Sequence, residues 1–306
     1  NDMAMYNYTH NVKLKPHAKE FLEYLYEKKI KIGLYTSNSL VLAKATLKAL
    51  DIEKYFERIG LEYDPNTKPD KVYLDKIIKA VLRHIPFDDA DVWANGAWPS
   101  LAIPDLFHKI VEEKRGGYCY EMNSLFNRVL NDLGFNSYLV IIHLYRTDIK
   151  FNAPSHCGCI VTIDGVKHFA DVGYGGPVPD GAVRFGGEVE YGHKQIMDGL
   201  YTVVASQNPD GSFLPRFKFK DFPCDPVEIV PLNFHTSQRP DTIFRHSLEL
   251  NIRYDDGFAE VHNKNMKYKH AGEEYTKVIE SPAEAKEIAE KIFGIPNLPV
   301  REFEDR

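Results

Sequence analysis

Cysteine is scarce in this chain, with four among 306 residues. That is too few for a disulfide framework, and it fits a reducing compartment. Long apolar runs are missing too, and no charged-then-apolar leader precedes the first polar stretch. A membrane-spanning helix and a signal peptide are therefore not expected, and the localisation reads as cytoplasmic. Lys/Arg runs are also lacking. A formal charge of −6 with no basic stripe argues against nucleic acid as a partner. The nearest cationic word, Glu112-Glu113-Lys114-Arg115, is mixed in sign and reads as a solvated helix end. No internal repeat or low-complexity segment is evident. What remains is a 43% hydrophobic chain, large enough for a core and for more than one domain.

Of the four cysteines, Cys119 has the most informative surroundings: Arg115-Gly116-Gly117-Tyr118-Cys119-Tyr120-Glu121-Met122-Asn123. Met122, Leu125, Phe126, Val129, Leu130 and Leu133 recur at the helical period, and Gly134 supplies a C-terminal cap. The pattern puts the thiol in the first turn of an amphipathic helix. There the positive end of the macrodipole and the unpaired N–H groups favour the thiolate, the nucleophilic form. A cysteine taken alone is more often a small buried apolar residue. Its partners decide the matter.

Two β-rich runs flank Asp164-Gly165, a signal for a type I′ hairpin. With Ile163 opposite Val166, continued pairing sets His156 opposite Gly173 and Gly158 opposite Asp171. His156 and Asp171 then become diagonal neighbours on one face. A Cys–His–Asp set follows. His156 would take the proton of Cys119, and Asp171 would fix the imidazole tautomer and stabilise the imidazolium. Cys157 and Cys159, next to the same histidine, invite a metal reading. Strand alternation points them to the face opposite His156, so the three cannot converge on one ion, and no metal is expected. They read as small packing residues.

These words, together with Asp171-Val172-Gly173-Tyr174-Gly175-Gly176, resemble the arylamine N-acetyltransferase family. Residues 55–61, 84–87, 105–111 and 233–241 are similar to further segments of it, so the likeness covers 54–306. It implies an α+β fold: a helical domain, a β-barrel domain and an α/β lid around a cysteine-protease-like core. It also implies ping-pong chemistry, in which acetyl-coenzyme A loads Cys119 and the thioester passes to an arylamine, arylhydrazine or arylhydroxylamine. The implied coenzyme contacts fall on Gly173, Gly175 and Gly176, whose backbone N–H groups could approach a pyrophosphate, and on Thr236 and Ser237. The implied substrate pocket falls on Phe87, Tyr118 and Tyr174. Two positions depart from the family's pattern. Asp88-Asp89 stand where Glu-Asn is common, in a loop expected to shape the acceptor pocket, and Tyr120 stands where phenylalanine is frequent.

Residues 1–53 differ in character. Ala18, Phe21, Leu22 and Leu25 lie at helical spacing, residues 29–35 alternate as a strand, and 40–50 return to helix. This αβα run resembles the haloacid dehalogenase-like hydrolase family, with Thr36 or Ser37 at its phosphate-binding loop and Lys68-Pro69-Asp70 like a later motif. That family needs an Asp-x-Asp nucleophile motif upstream of the strand, and residues 1–20 hold none. The fragment is therefore expected to be inactive, a lone strand with two helices too small to stand alone. The chain opens on Asn rather than Met, which leaves a truncated gene, a fusion or a chimera open.

The expected division is 1–53 for that fragment, 54–143 for the helical domain with the cysteine, 144–240 for the barrel with His156 and Asp171, and 241–306 for the lid. The aromatic-rich stretch 201–244 alternates like sheet. Residues 281–293, opening Ser281-Pro282-Ala283-Glu284, read as a capped closing helix. The expected partners are a small aromatic amine or hydrazine and a coenzyme A thioester, with no nucleic acid and no membrane. Two alternatives to acetyl transfer remain: a thiol amide synthase or hydrolase on the same triad, or an inactive protein with a phosphatase-like remnant.

Overall fold

The structure, a computed structural model, describes residues 2–29, 33–35, 40–56, 58–60, 69–145 and 153–304. Thr36, Ser37 and Lys68 lie outside the described residues, as do residues 146–152. The chain divides into two compact units, 1–68 and 69–306.

The first unit runs α1 (Asp2–His10), α2 (Ala18–Glu27), β1 (Gly33–Tyr35), α3 (Leu40–Ala49) and β2 (Arg58–Gly60). Here β1 has a partner: β2 pairs with it in parallel, Gly33 opposite Arg58. A parallel pair needs a crossover, and α3 supplies it. The expectation of a solitary strand is corrected, because Arg58–Gly60, read as the start of the next part, pairs within this unit. Leu47, Ile52 and Tyr55 make its small core, against Leu14, Leu22, Leu50 and Phe56. Phe21, placed on the apolar stripe of α2, is exposed.

The second unit opens with α4 (Lys71–His84), capped by the Asp70 carboxylate, which accepts the Tyr73 N–H at 2.7 Å. Its one-turn spacing buries Leu74, Ile78 and Leu82. β3 (Phe87–Asp88), α5 (Ala90–Asn95), α6 (Ile103–Phe107) and α7 (Cys119–Asp132) follow. Then come β4 (Asn136–Leu144), β5 (His156–Ile163), β6 (Val166–Ala170), β7 (Val183–Arg184), β8 (His193–Asp198), β9 (Tyr201–Gln207) and β10 (Phe213–Phe219). These seven form one antiparallel sheet in the order β7-β6-β5-β4-β10-β9-β8. Its edges β7 and β8 come back into contact, which nearly closes it into a barrel.

After the barrel lie α8 (Pro226–Gln238), β11 (Glu249–Arg253), β12 (Phe258–His262), β13 (Asn265–His270), β14 (Glu273–Val278) and α9 (Pro282–Phe293). The Ser281 hydroxyl caps α9 by accepting the Glu284 N–H at 3.2 Å. β11–β14 form a meander whose fifth strand is β3, with Leu250 opposite Asp88 and Asn251 opposite Phe87. The reading of 201–244 as sheet fails over α8. Asp225 accepts the Val227 N–H, Glu228 returns a carboxylate to the Asp225 N–H at 2.7 Å, and Pro226 fills the first helical position. That capping box outweighs the aromatic alternation. Among the described residues, no helix is long and apolar enough to cross a membrane.

Candidate active site

Cys119 is the first residue of α7, as the sequence predicts. Met122, Leu125, Phe126 and Leu130 of the apolar stripe are buried, while Val129 is exposed. The Glu121 carboxylate turns back to accept the Tyr118 N–H at 3.1 Å, which finishes the helix start. Behind it lies a buried ionic network. Lys109 reaches Glu121 at 2.7 Å and Asp91 at 2.6 Å, while Arg115 reaches Asp88 at 2.8 Å and Asp91 at 3.3 Å. Arg115 is 6% exposed. Its reading as a solvated helix end is therefore wrong: it crosses inward to Asp88 on β3 and ties that strand to the loop preceding the cysteine.

Asp164 and Gly165 both have positive φ, 50° and 78°, as a type I′ turn requires. The register runs as predicted from Ile163–Val166 to Cys159–Ala170 and there stops. Asp171 and Gly173 do not continue the ladder. Asp171 Oδ1 accepts the N–H of Gly173 two residues on, at 2.9 Å, and this Asx turn bends the chain away from β5. The side chain nonetheless reaches back, and His156 Nε2 lies 2.6 Å from Asp171 Oδ2. The Cys119 thiol is a second neighbour whose charge favours the imidazolium. Burial works against the imidazolium, but Asp171, and after it Cys119, more than offset this and push His156 up to about 10. Its ring stacks on Phe217 of β10 with centroids 5.7 Å apart. Cys157 and Cys159 face α7 instead, their sulfurs 3.5 Å from the Cys119 carbonyl and 3.8 Å from the Asn123 carbonyl.

A cleft of about 930 Å³ opens beside Ser155, whose carbonyl oxygen lies 3.8 Å from Cys119 Sγ. Thr236, Arg239 and Phe244 line it as well. A second cleft of about 490 Å³ lies between Phe87 with Gly175 and the lid strands, and shares His262 and Asn265 with the first.

Residues 72–300 match the model of the N-acetyltransferase family. The chain belongs to the arylamine N-acetyltransferase family. It is thus an acetyltransferase. The Mycolicibacterium smegmatis arylamine N-acetyltransferase is 27% identical over 257 residues, 81% of this chain and 92% of that protein. Mouse arylamine N-acetyltransferase 1 is 34% identical over a shorter stretch, 42% of this chain and 44% of its own length. Among solved structures, the M. smegmatis enzyme superposes with a TM-score of 0.68 at 26% identity, covering 80% of this chain and 92% of that one. The Mycobacterium marinum enzyme in complex with CoA has the same fold, with a TM-score of 0.69 at 22% identity over 78% of this chain and 89% of that one. Residues 2–92 match a second model, that of haloacid dehalogenase-like hydrolases. Residues 55–61, expected to open the acetyltransferase part, fall within that match and before residue 72.

Measured against the arylamine N-acetyltransferase expectations, the remaining residues divide. Phe87 and Gly175 line the second cleft, and Tyr174 is half-buried with its ring 5.7 Å from that of His156. Tyr118 lines neither of these two clefts. It is fully buried between Tyr120 and Phe244, with its hydroxyl donating to Asn233 Oδ1. Thr236 faces the first cleft, but Ser237 is fully buried and donates to the Asn233 carbonyl, as helical serines do when they turn inward. Gly175 has φ +72° and a Cβ there would meet the Phe87 ring at 2.6 Å, while Gly176 follows it, half-buried. Gly173 is confined by its neighbours. Its N–H is committed to Asp171, and a Cβ would sit 2.9 Å from Cys119 Cα. The bend lies close against α7 there. Asp88 and Asp89 are both buried. Asp89 accepts the Glu249 N–H at 2.8 Å, and burial with neighbouring carboxylates pushes it well above the usual range.

Proposed function

We propose that this chain moves an acetyl group from acetyl-coenzyme A, through a thioester on Cys119, to an arylamine, arylhydrazine or arylhydroxylamine. The observation that carries the reading is the buried His156–Asp171 pair, its imidazole 2.6 Å from the carboxylate, one residue along the strand from Ser155, whose carbonyl oxygen lies 3.8 Å from Cys119 Sγ. A histidine raised that far holds its proton at neutral pH, and an imidazolium beside the sulfur favours the thiolate as the attacking form. The thiolate attacks the acetyl carbonyl. The carbon–sulfur bond to the coenzyme breaks, and His156 gives its proton to the departing sulfur. N–H groups of the first turn of α7, which lack helical partners, face the developing oxyanion. Acetylation removes the thiolate charge that helped hold the imidazolium, so His156 stays neutral and serves as base. It takes a proton from the incoming amine as the nitrogen attacks the thioester, and Cys119 leaves as thiolate.

Gly175, Gly176 and Thr236 are assigned to the coenzyme, and Phe87 with Tyr174 to the wall beside the acceptor. All four cysteines are free thiols, which suits a cytoplasmic enzyme. The test is mass spectrometry after mixing with acetyl-coenzyme A. A single acetyl adduct on Cys119, discharged by an aromatic hydrazine and absent from Cys119→Ser, is expected. Hydrolysis of that adduct with no transfer would point to a hydrolase, and acceptor turnover by Cys119→Ser would refute the mechanism.

A further inference from the structure

Asn123 lies one helical turn after Cys119 on α7 and is completely buried. Its carboxamide makes three hydrogen bonds. Nδ2 donates to the carbonyl oxygen of Cys157 at 2.8 Å and to Asp171 Oδ1 at 2.9 Å, and Oδ1 accepts the N–H of Val172 at 3.2 Å. The partners fix the orientation of the amide, because a flipped group would set an acceptor against both a carbonyl and a carboxylate. One side chain thus joins three segments: the helix that carries the thiol, the strand residue next to His156, and the bend that carries Asp171.

We propose that Asn123 is the positioning residue of this site, clamping the Asp171 carboxylate to the nucleophile's own helix and so setting where His156 meets Cys119. The functional consequence rests on the acyl-transfer reading above; the geometry does not. Asp171 has two jobs for its two oxygens. Oδ2 faces His156, and Oδ1 is held by the Gly173 N–H and by Asn123. The Gly173 bond lies inside the bend and cannot place the bend relative to α7. Asn123 can. It does so with neutral donors, which leave the carboxylate its full charge for the imidazolium. A cationic donor in its place would compete with His156 for that charge.

The test compares the wild type with Asn123→Ala and the isosteric Asn123→Asp. An aspartate there would face Cys119 on its own helix, His156, Cys157 and Cys159 on β5, and Asp171 beyond β6. Its protonated form donates to Asp171 as the amide does, whereas its ionised form repels it. The readout is alkylation of Cys119 by iodoacetamide as a function of pH, followed by peptide mapping, beside the rate of acetyl-adduct formation. Thermal melts establish that each variant is folded. Asn123→Ala is expected to alkylate about tenfold more slowly at neutral pH, because the displaced imidazolium no longer supports the thiolate. Asn123→Asp is expected to approach wild-type rates at acid pH and to lose them as pH rises, a dependence that a purely structural role would not create. A folded Asn123→Ala whose profile superimposes on the wild type, or an Asn123→Asp profile with no added pH dependence, overturns the proposal. Alkylation needs no coenzyme, so a wild type that takes no acetyl group would overturn the acyl-transfer reading and leave this comparison standing.

Discussion

Replacing Gly173 by alanine tests how closely the bend after β6 must approach the nucleophile's helix. The backbone there does not need glycine's freedom, since Gly173 is not among the positive-φ residues. Space decides the outcome. An added methyl would meet Cys119 Cα at 2.9 Å, Asn123 Nδ2 at 2.9 Å and Met122 Cβ at 3.0 Å. Carbon contacts are comfortable at about 3.5–4.0 Å, so the bend must retreat by roughly 0.5 Å or more. One obstacle is backbone and cannot swing aside. Overpacking of this kind costs about 1–3 kcal/mol, which for a body of this size lowers Tm by about 2–4 °C per kcal/mol. The retreat carries Asp171 with it, so adduct formation on Cys119 should slow by about tenfold to a hundredfold. Gly165→Ala is the control. It places a methyl in open space at φ +78°, costs about 1–2 kcal/mol through backbone strain, and should leave the acetylation rate alone. Stopped-flow mixing with acetyl-coenzyme A and thermal melts measure both. A Gly173→Ala protein that is acetylated within twofold of the wild-type rate would refute the reasoning.

Arg115→Ala should destabilise the second unit by about 3–5 kcal/mol, because it strands the buried Asp88 carboxylate without its cation. A urea midpoint unchanged from the wild type would dismiss that role. Stability should also depend on pH through His156. Its folded value is raised from 6.5 to about 10, so its stabilisation is complete below pH 6.5 and is lost as pH climbs through 10. The gap in unfolding free energy between wild type and His156→Gln should therefore shrink across that window, and a constant gap would contradict the assignment.

Local signals in the sequence carried far. Asp164-Gly165 fixed the register of β5 and β6 because a type I′ turn leaves only one pairing. Ser281-Pro282 marked the start of α9, and the stripe from Met122 to Leu130 marked α7. The diagonal placing of His156 and Asp171 was right in proximity and wrong in means, since the contact is made by a side chain from a bend and not across a ladder. What escaped was contact between distant parts. Arg115 looked solvated because its partner Asp88 lies 27 residues away. Tyr118 and Ser237 stand beside Cys119 and Thr236 in the chain, yet helical geometry turns them into the core. Asn123 carries no chemical signature of its own, though its spacing from Cys119 puts it on the same side of the helix. The start of α8 was legible and missed. Asp225-Pro226-Val227-Glu228 is a capping signature outweighed, in the reading, by the aromatics around it.

The pairing of β3 with β11 has a consequence for how this protein can be shortened. Phe87, which walls the space beside Gly175, is held as the outermost strand of a sheet whose other four members come from the last third of the chain. A version ending after α8 would therefore not be a smaller, uncovered catalyst. It would strip Phe87 of its ladder and Asp89 of the backbone amide it grips, loosening the loop that Arg115 anchors. The tail is built into the wall of the cleft beside Phe87 and Gly175, so deleting it is expected to abolish activity.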